Sequence, residues 1–182
     1  MSEALALIEL HSIARGHRVA DAMLKRAPVT LLRADWVSPG KFLVLVEGEL
    51  AAVEESFRVG VDIGGDRVVD RLFLPQPHAA LWEALAGETN ATAEIESLGI
   101  VETTTVAATL LGADAAAKAA AVRLVELQLA RGIGGKAFFT LTGPLADVEA
   151  AVEAAVGALA AALIHGTEII AAPHADLAGK LR

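Results

Sequence analysis

The first half of the chain alternates strand-like apolar runs with segments of helical spacing. Strands are predicted where β-favouring residues cluster, near residues 4–11, 29–32, 42–46 and 67–74. Ser12 offers an N-cap hydroxyl to a first helix, which Pro28 ends. The apolar face of that helix is predicted to carry Ile13, His17, Ala20, Leu24 and Ala27. A second helix is predicted from Ala51 to about Val61, and a short third helix with Pro77 at its first position.

The second half repeats this pattern at an almost constant offset. Glu9 corresponds to Glu102 and Asp21-x-x-x-Lys25 to Asp114-x-x-x-Lys118, both 93 residues later. Gly40-Lys41 corresponds to Gly135-Lys136 after 95 residues, and Pro77-His78 to Pro173-His174 after 96. Several such matches in the same order indicate two tandem copies of one unit.

Each copy has the order β-α-β-β-α-β-α. This order predicts an α+β protein made of two ferredoxin-like domains, each an antiparallel sheet with helices packed on it. We place the first domain at residues 1–88 and the second at 96–182, joined by the polar stretch Gly87–Thr92.

Composition narrows the class of protein. Hydrophobic residues make up 54% and the formal net charge is −8, which excludes a disordered chain and argues against nucleic acid as a partner. The absence of cysteine excludes disulfides, zinc–thiolate sites and a cysteine nucleophile. The mean hydropathy of +0.52 is high, yet the uncharged run Ala154–Ile164 is too short to span a bilayer, and the N-terminus lacks a signal-peptide pattern. A cytoplasmic protein that buries apolar surface between subunits is therefore expected.

No catalytic motif emerges from the sequence. Gly132-x-Gly134-Gly135-Lys136 has Ala130 and Ala137 where a phosphate-binding loop needs Gly and Ser or Thr. The histidines lack metal-ligand spacing, and a nucleophile elbow is missing. Glu9 and Glu102 recur by symmetry, which is more typical of scaffolding than of a general acid and base. We predict no enzyme activity, no cofactor and no metal.

The repeated elements resemble a known family. The Ile/Val-Glu strand, the Asp-x-x-x-Lys helix, the Gly-Lys after a tight loop and the Pro-His before the last helix are similar to shell proteins of bacterial microcompartments. Two such domains in tandem, in unpermuted order, resemble the trimer-forming class found in propanediol-utilisation compartments. The resemblance implies a homotrimer that forms a pseudohexameric tile with a central pore.

The resemblance also assigns site residues. It implies that the loops Asp35–Gly40 and Arg131–Gly135 surround the pore, with these residues lining it: Val37, Ser38, Pro39, Gly40, Ile133, Gly134 and Gly135. The position that matches Ser38 can be a cysteine bound to an iron–sulfur cluster in the family, so serine here predicts that such a cluster is absent. The implied contacts at the tile edge are Asp21, Lys25, Asp114, Lys118, His78 and His174. The family often has Arg before the Pro-His, whereas this chain has Gln76 and Ala172, which puts the usual edge hydrogen bond in doubt.

Two functions follow as hypotheses. The first is a structural shell protein in the bacterial microcompartment, whose partners are itself, other shell proteins at its edges and small polar metabolites in the pore, with neither nucleic acid nor membrane. The alternative is a tandem ferredoxin-like regulatory or small-ligand-binding module. The helix lysine and the Gly-Lys loop recur in both halves, which favours the shell protein, because a sensor has no reason to repeat them.

Overall fold

The computed structural model describes residues 3–88 and 94–181. The elements of the first repeat are β1 (Ala4–Leu10), α1 (Ile13–Arg26), β2 (Thr30–Val37), β3 (Lys41–Gly48), α2 (Leu50–Gly64), β4 (Val68–Pro75) and α3 (Ala79–Ala86). Those of the second are β5 (Ser97–Thr103), α4 (Val106–Ala119), β6 (Arg123–Gln128), β7 (Ala137–Gly143), α5 (Leu145–Gly157), β8 (Ile164–Ile170) and α6 (Ala175–Ala178). The predicted element order is confirmed in both repeats, and most of the stretch proposed to join them lies outside the described residues.

Each repeat forms one four-stranded antiparallel sheet. The strand orders are β2-β3-β1-β4 and β6-β7-β5-β8, so the two repeats share one topology. In the first sheet Glu9 pairs with Leu43 of β3, and in the second Glu102 pairs with Phe138 of β7. The α+β, ferredoxin-like fold class is therefore confirmed.

The core of the first repeat lies between its sheet and the helices α1 and α2. Every residue of the central strand β1 is buried, and Ile8, Met23 and Phe42 are among the large side chains that fill this core. Glycine lets α1 approach the sheet closely, because a Cβ at Gly16 would lie 2.8 Å from Cβ of Phe42.

Two local predictions need correction. The helix α3 begins at Ala79 with His78 as its N-cap, so Pro77 lies outside it, since the His78 ring accepts from the N–H of Ala80 and takes the capping role. On α1, the buried residues are Gly16, Val19, Ala20 and Met23. The predicted face is therefore wrong at Ile13, His17 and Leu24, which are exposed because the buried stripe of α1 is centred on Gly16, Val19 and Met23 and leaves these three residues on its flank.

The start of α1 is as predicted, and its counterpart in the second repeat follows the same rule. The side chain of Ser12 accepts from the N–H of Arg15, and that of Thr105 accepts from the N–H of Ala108. The helix α1 ends at Arg26, before Pro28. Near that end, the Arg26 guanidinium hydrogen-bonds Glu55 and holds the pKa of that carboxyl below its ordinary value.

Packing divides the chain differently from the sequence repeat. One compact unit contains residues 3–77 together with Ala130–Gly135, and the other contains His78–Leu129 with residues 136–181. The helix α3, which belongs to the first repeat by sequence, packs on α4 and β6 of the second. The boundaries proposed above therefore describe the sequence repeat, whereas α3 and the Ala130–Gly135 loop each pack with the other repeat's elements.

Within the described residues, every helix is too short or too polar to cross a membrane.

Candidate functional site: two loops and two helix edges

The first predicted pore loop is a tight turn between β2 and β3. It contains a cis peptide between Ser38 and Pro39, and Gly40 has a φ of 97°, a conformation that favours glycine. The N–H of Gly40 donates to the carbonyl of Val37 at 2.9 Å, which closes the turn. Pro39 and Gly40 are exposed, Ser38 is partly exposed, and the side chain of Val37 is buried, so Val37 offers only backbone to a pore.

The second predicted pore loop is longer and rich in positive φ. Ala130 has a φ of 59°, and Gly132, Gly134 and Gly135 have values of 76°, 67° and 83°. This loop packs beside the first one, because a Cβ at Gly135 would lie 2.8 Å from Cδ of Pro39. The structure thus brings the two predicted loops together within one unit. Their role in lining a pore stays a prediction.

An ion pair repeats at the base of each loop, in two different environments. Lys41 donates to Glu9 at 2.7 Å and also to the carbonyl of Gly135 at 3.4 Å, and the carboxylate of Glu9 is fully buried. In the second repeat Lys136 donates to Glu102 at 3.0 Å, but both side chains are partly exposed. His165 adds a nitrogen 3.9 Å from the Glu102 carboxylate. The sequence favours a scaffold role for these glutamates, which stays a prediction, and it could not show that Glu9 is buried while Glu102 is partly exposed.

A pocket of about 370 Å³ opens beside the two loops. Its lining consists of Asp35, Trp36, Val37, Ser38, Arg131 and Gly132. Asp35 is held by Arg33, whose Nη2 donates to its Oδ2 at 3.0 Å and whose Nε lies 2.9 Å from its Oδ1. Arg131 is farther away, with Nη2 3.8 Å from Asp35 Oδ2.

Three predicted edge residues, His78 from the first repeat and Asp114 and Lys118 from the second, form one cluster. The backbone N–H of His78 donates to Oδ1 of Asp114 at 2.7 Å, and Lys118 donates to Oδ2 of the same carboxylate at 2.6 Å. The side chain of Asp114 is only 5% exposed. Asp114 therefore both anchors the start of α3 and orients the edge lysine.

The equivalent residues are Asp21 and Lys25 on α1 and His174 before α6, and Asp21 is open to solvent. Lys25 pairs with Asp21 at 2.7 Å, but Asp21 is 60% exposed. His174 caps α6 by accepting from the N–H of Asp176 at 3.2 Å, and its own ring is exposed. The structure thus assembles one predicted edge cluster, around Asp114.

Neither the loops nor the edges resemble a metal centre. Within residues 3–88 and 94–181, no three His, Asp or Glu side chains gather where they could hold an ion. The arrangement therefore offers packing surfaces, ion pairs and one open pocket.

Comparison with known proteins decides the family. The model of the BMC domain matches the chain twice, over residues 4–77 and 97–173. The chain belongs to the BMC domain family. The two matches coincide with the two sheets, so each repeat is one BMC domain, and the resemblance drawn from the sequence is confirmed.

Similar proteins are found in shells. The bacterial microcompartment shell protein PduT of Citrobacter freundii is 43% identical over 155 residues, which cover 85% of this chain and 84% of that protein. The carboxysome shell protein CsoS1 of Prochlorococcus marinus is 36% identical over 88 residues, or 47% of this chain and 85% of that protein. A crystal structure of a microcompartment protein from Desulfitobacterium hafniense superposes with a TM-score of 0.87 at 42% identity, over 97% of this chain and 98% of that one.

One further structure supports the fold alone. The fused permuted hexameric shell protein MSM0275 has a TM-score of 0.65 at 24% identity over 86% of this chain and 81% of that chain. The two BMC-domain matches and the relatives of 42% and 43% identity identify this chain as a structural shell protein of a bacterial microcompartment and give no support to the sensor hypothesis.

Proposed function

We propose that three copies of the chain close head to tail into a ring of six BMC domains, a pseudohexameric shell tile with a central pore. The observation that carries this proposal is the contrast between two equivalent helices. The helix α3 packs on α4 and β6 of its own chain, whereas the equivalent helix α6 is exposed. Leu81 of α3 is 0% exposed, and Leu177, 96 residues later on α6, is 44% exposed.

The first repeat has an exposed face, on α1 and β2, that is equivalent to the surface of α4 and β6 on which α3 packs. We call it the α1–β2 face; its exposed apolar side chains are Ile13, Leu24, Leu31 and Leu32. Their equivalents in the second repeat, 93 residues later, are all buried: Val106, Ala117, Leu124 and Val125. An exposed apolar face and an exposed apolar helix on the same chain fit each other when they come from different copies.

The hydrogen bond between His78 and Asp114 also has an equivalent pair of residues elsewhere in the chain. The N–H of His78, before α3, donates to the buried carboxylate of Asp114 on α4. The equivalents are His174 before α6 and Asp21 on α1, which is open to solvent. Docking of α6 on the α1–β2 face of the next copy would give Asp21 the same partner. Three identical contacts of this kind close a ring with three-fold symmetry.

The ring places the two loops around its axis, where Ser38 and the glycine backbone would line a passage for small polar metabolites. Lys25 and Lys118 would lie at the outer edges, where the tile meets other shell proteins. The role is structural and transport-related, without catalysis.

The native mass of the purified protein at low concentration tests the ring. Three copies of the 18.8 kDa chain give a mass of about 56 kDa. A stable monomer or dimer would contradict the ring and reopen the ligand-binding alternative.

A further inference from the structure

The charges around the pocket beside the two loops are unequally compensated. Lys41 is paired with the buried Glu9, and Asp35 is paired with Arg33 through one hydrogen bond and a second close contact. In each of these two pairs the opposite charges neutralise each other at short distance. The remaining charged side chain in the lining is Arg131.

Arg131 keeps most of its guanidinium free for a ligand. Its side chain is 79% exposed, and its ion-pair contact is the 3.8 Å approach to Asp35, which is longer than a hydrogen bond. Asp35 accepts a hydrogen bond from Arg33 on Oδ2, and its Oδ1 is shielded from solvent 2.9 Å from Arg33 Nε, so Arg33 is the closer cation and Asp35 neutralises Arg131 poorly. The local balance of charge at the pocket is therefore positive, although the whole chain carries −8.

The chemistry of the pocket suits one class of ligand. A guanidinium presents a planar fork of donors that matches a carboxylate or a phosphate. Ser38 and Trp36, which carry a hydroxyl and an indole, line the same pocket. A cation would be repelled by Arg131, and of the two oxygens of Asp35 one accepts from Arg33 and the other is shielded from solvent.

We propose that Arg131 makes this pocket a weak collecting site for small anions, so that the mouth of the proposed pore favours metabolites that carry carboxylate or phosphate groups. The position at a pore mouth rests on the proposed ring, in which three copies of Arg131 would surround the axis. The pocket itself is built within one unit of a single chain, so its preference for anions is measurable whatever the assembly.

Trp36 provides the readout. It lines the pocket and is 69% exposed, and the chain contains one other tryptophan, Trp82. In a Trp82→Phe background, quenching of Trp36 fluorescence by iodide and by caesium reports the local concentration of small anions and cations. Acrylamide, which is neutral, corrects for access.

We expect iodide to quench Trp36 more strongly than caesium after correction. Arg131→Gln should lower the iodide quenching constant about two-fold, the effect of one unit charge about 6 Å away in screened water. Arg131→Glu should reverse the preference, so that caesium quenches more strongly. Arg58→Gln is the matched control, since Arg58 is an exposed arginine on α2 whose loss changes the net charge equally.

Three results would overturn the site: iodide quenching that Arg131→Gln leaves unchanged, an equal loss in Arg58→Gln, or a Trp36 that acrylamide cannot reach. The native mass of each variant separates this proposal from the previous one. A trimer without an Arg131 effect refutes the anion site and leaves the ring intact. A monomer with a clear Arg131 effect refutes the ring and leaves the site.

Discussion

Glu9 and Glu102 occupy equivalent positions on β1 and β5, yet their side chains differ in exposure to solvent. Glu9 is enclosed with Lys41 beneath the Ala130–Gly135 loop, whereas Glu102 and Lys136 remain partly exposed. Removal of one charge from an enclosed pair leaves the other desolvated without a partner, and this costs far more than the loss of an exposed pair.

We therefore expect Glu9→Gln to lower the free energy of unfolding by about 3 kcal/mol. The matched variant Glu102→Gln should cost at most about 1 kcal/mol. Urea denaturation of both variants at neutral pH measures the difference. Equal losses would contradict the assigned contrast in burial.

Ser38 carries a prediction about passage through the pore. Ser38→Asp would add three carboxylates around the axis of the proposed ring and should slow the entry of small anions. Shells assembled with this tile around a chloride-sensitive dye would show the slower entry, with Ser38→Thr as the control. An unchanged anion flux would refute the placement of Ser38 at the constriction.

At this scale the sequence was informative where one residue sets local geometry. Ser12 as an N-cap and the turn at Ser38-Pro39-Gly40 follow from chemistry that acts over a few positions. The burial of Asp114 could not be predicted from the sequence, because the His78 N–H that covers it comes from a residue 36 positions away. The pairing of Arg33 with Asp35 and the open Arg131 likewise depend on how the two loops pack.

Among the elements, the helices that end the two repeats differ most. Their sequences share the Pro-His start and a leucine three residues later, so the pattern predicts the same helix twice. It did not show that α3 packs on the other repeat, since periodicity reports an apolar face and not the surface that covers it. The error on α1 has the same origin: Ile13 and Leu24 lie on the flank of the buried stripe, on a surface that the proposed ring would bury.

Leu177→Asp should separate folding from assembly. The side chain is exposed in the single chain, so the protomer should stay folded, while a carboxylate buried against the α1–β2 face should weaken association at least about a hundred-fold. Sedimentation velocity would show the trimer replaced by a monomer.

Leu145→Asp is the control. Leu145 and its equivalent Leu50 are similarly exposed. Neither residue is therefore expected to be buried when the ring forms, so this variant should remain a trimer. A trimer that survives Leu177→Asp would contradict the proposed contact.

At the level of the whole molecule, the edge lysines connect one tile with the next. Lys25→Asp replaces the cation of the Lys25–Asp21 pair with a carboxylate, so it should weaken the joining of tiles. Because Asp21 also faces α6 of the next copy in the proposed ring, sheets are compared only for protein whose trimer mass has been verified. Electron microscopy of concentrated protein would show fewer or smaller sheets. Arg58→Asp makes the same change of charge on α2 and serves as the control; normal sheets from Lys25→Asp would count against the edge assignment.

The helix α6 and the α1–β2 face also determine how a damaged copy would behave among intact ones. A chain with Leu177→Asp could not dock on a neighbour, but its own α1–β2 face would still accept the α6 of an intact copy. It would occupy a place in a growing ring and prevent closure. Such a variant would be dominant negative for assembly in a mixed population, because one defective copy would keep two normal copies in a ring that cannot close.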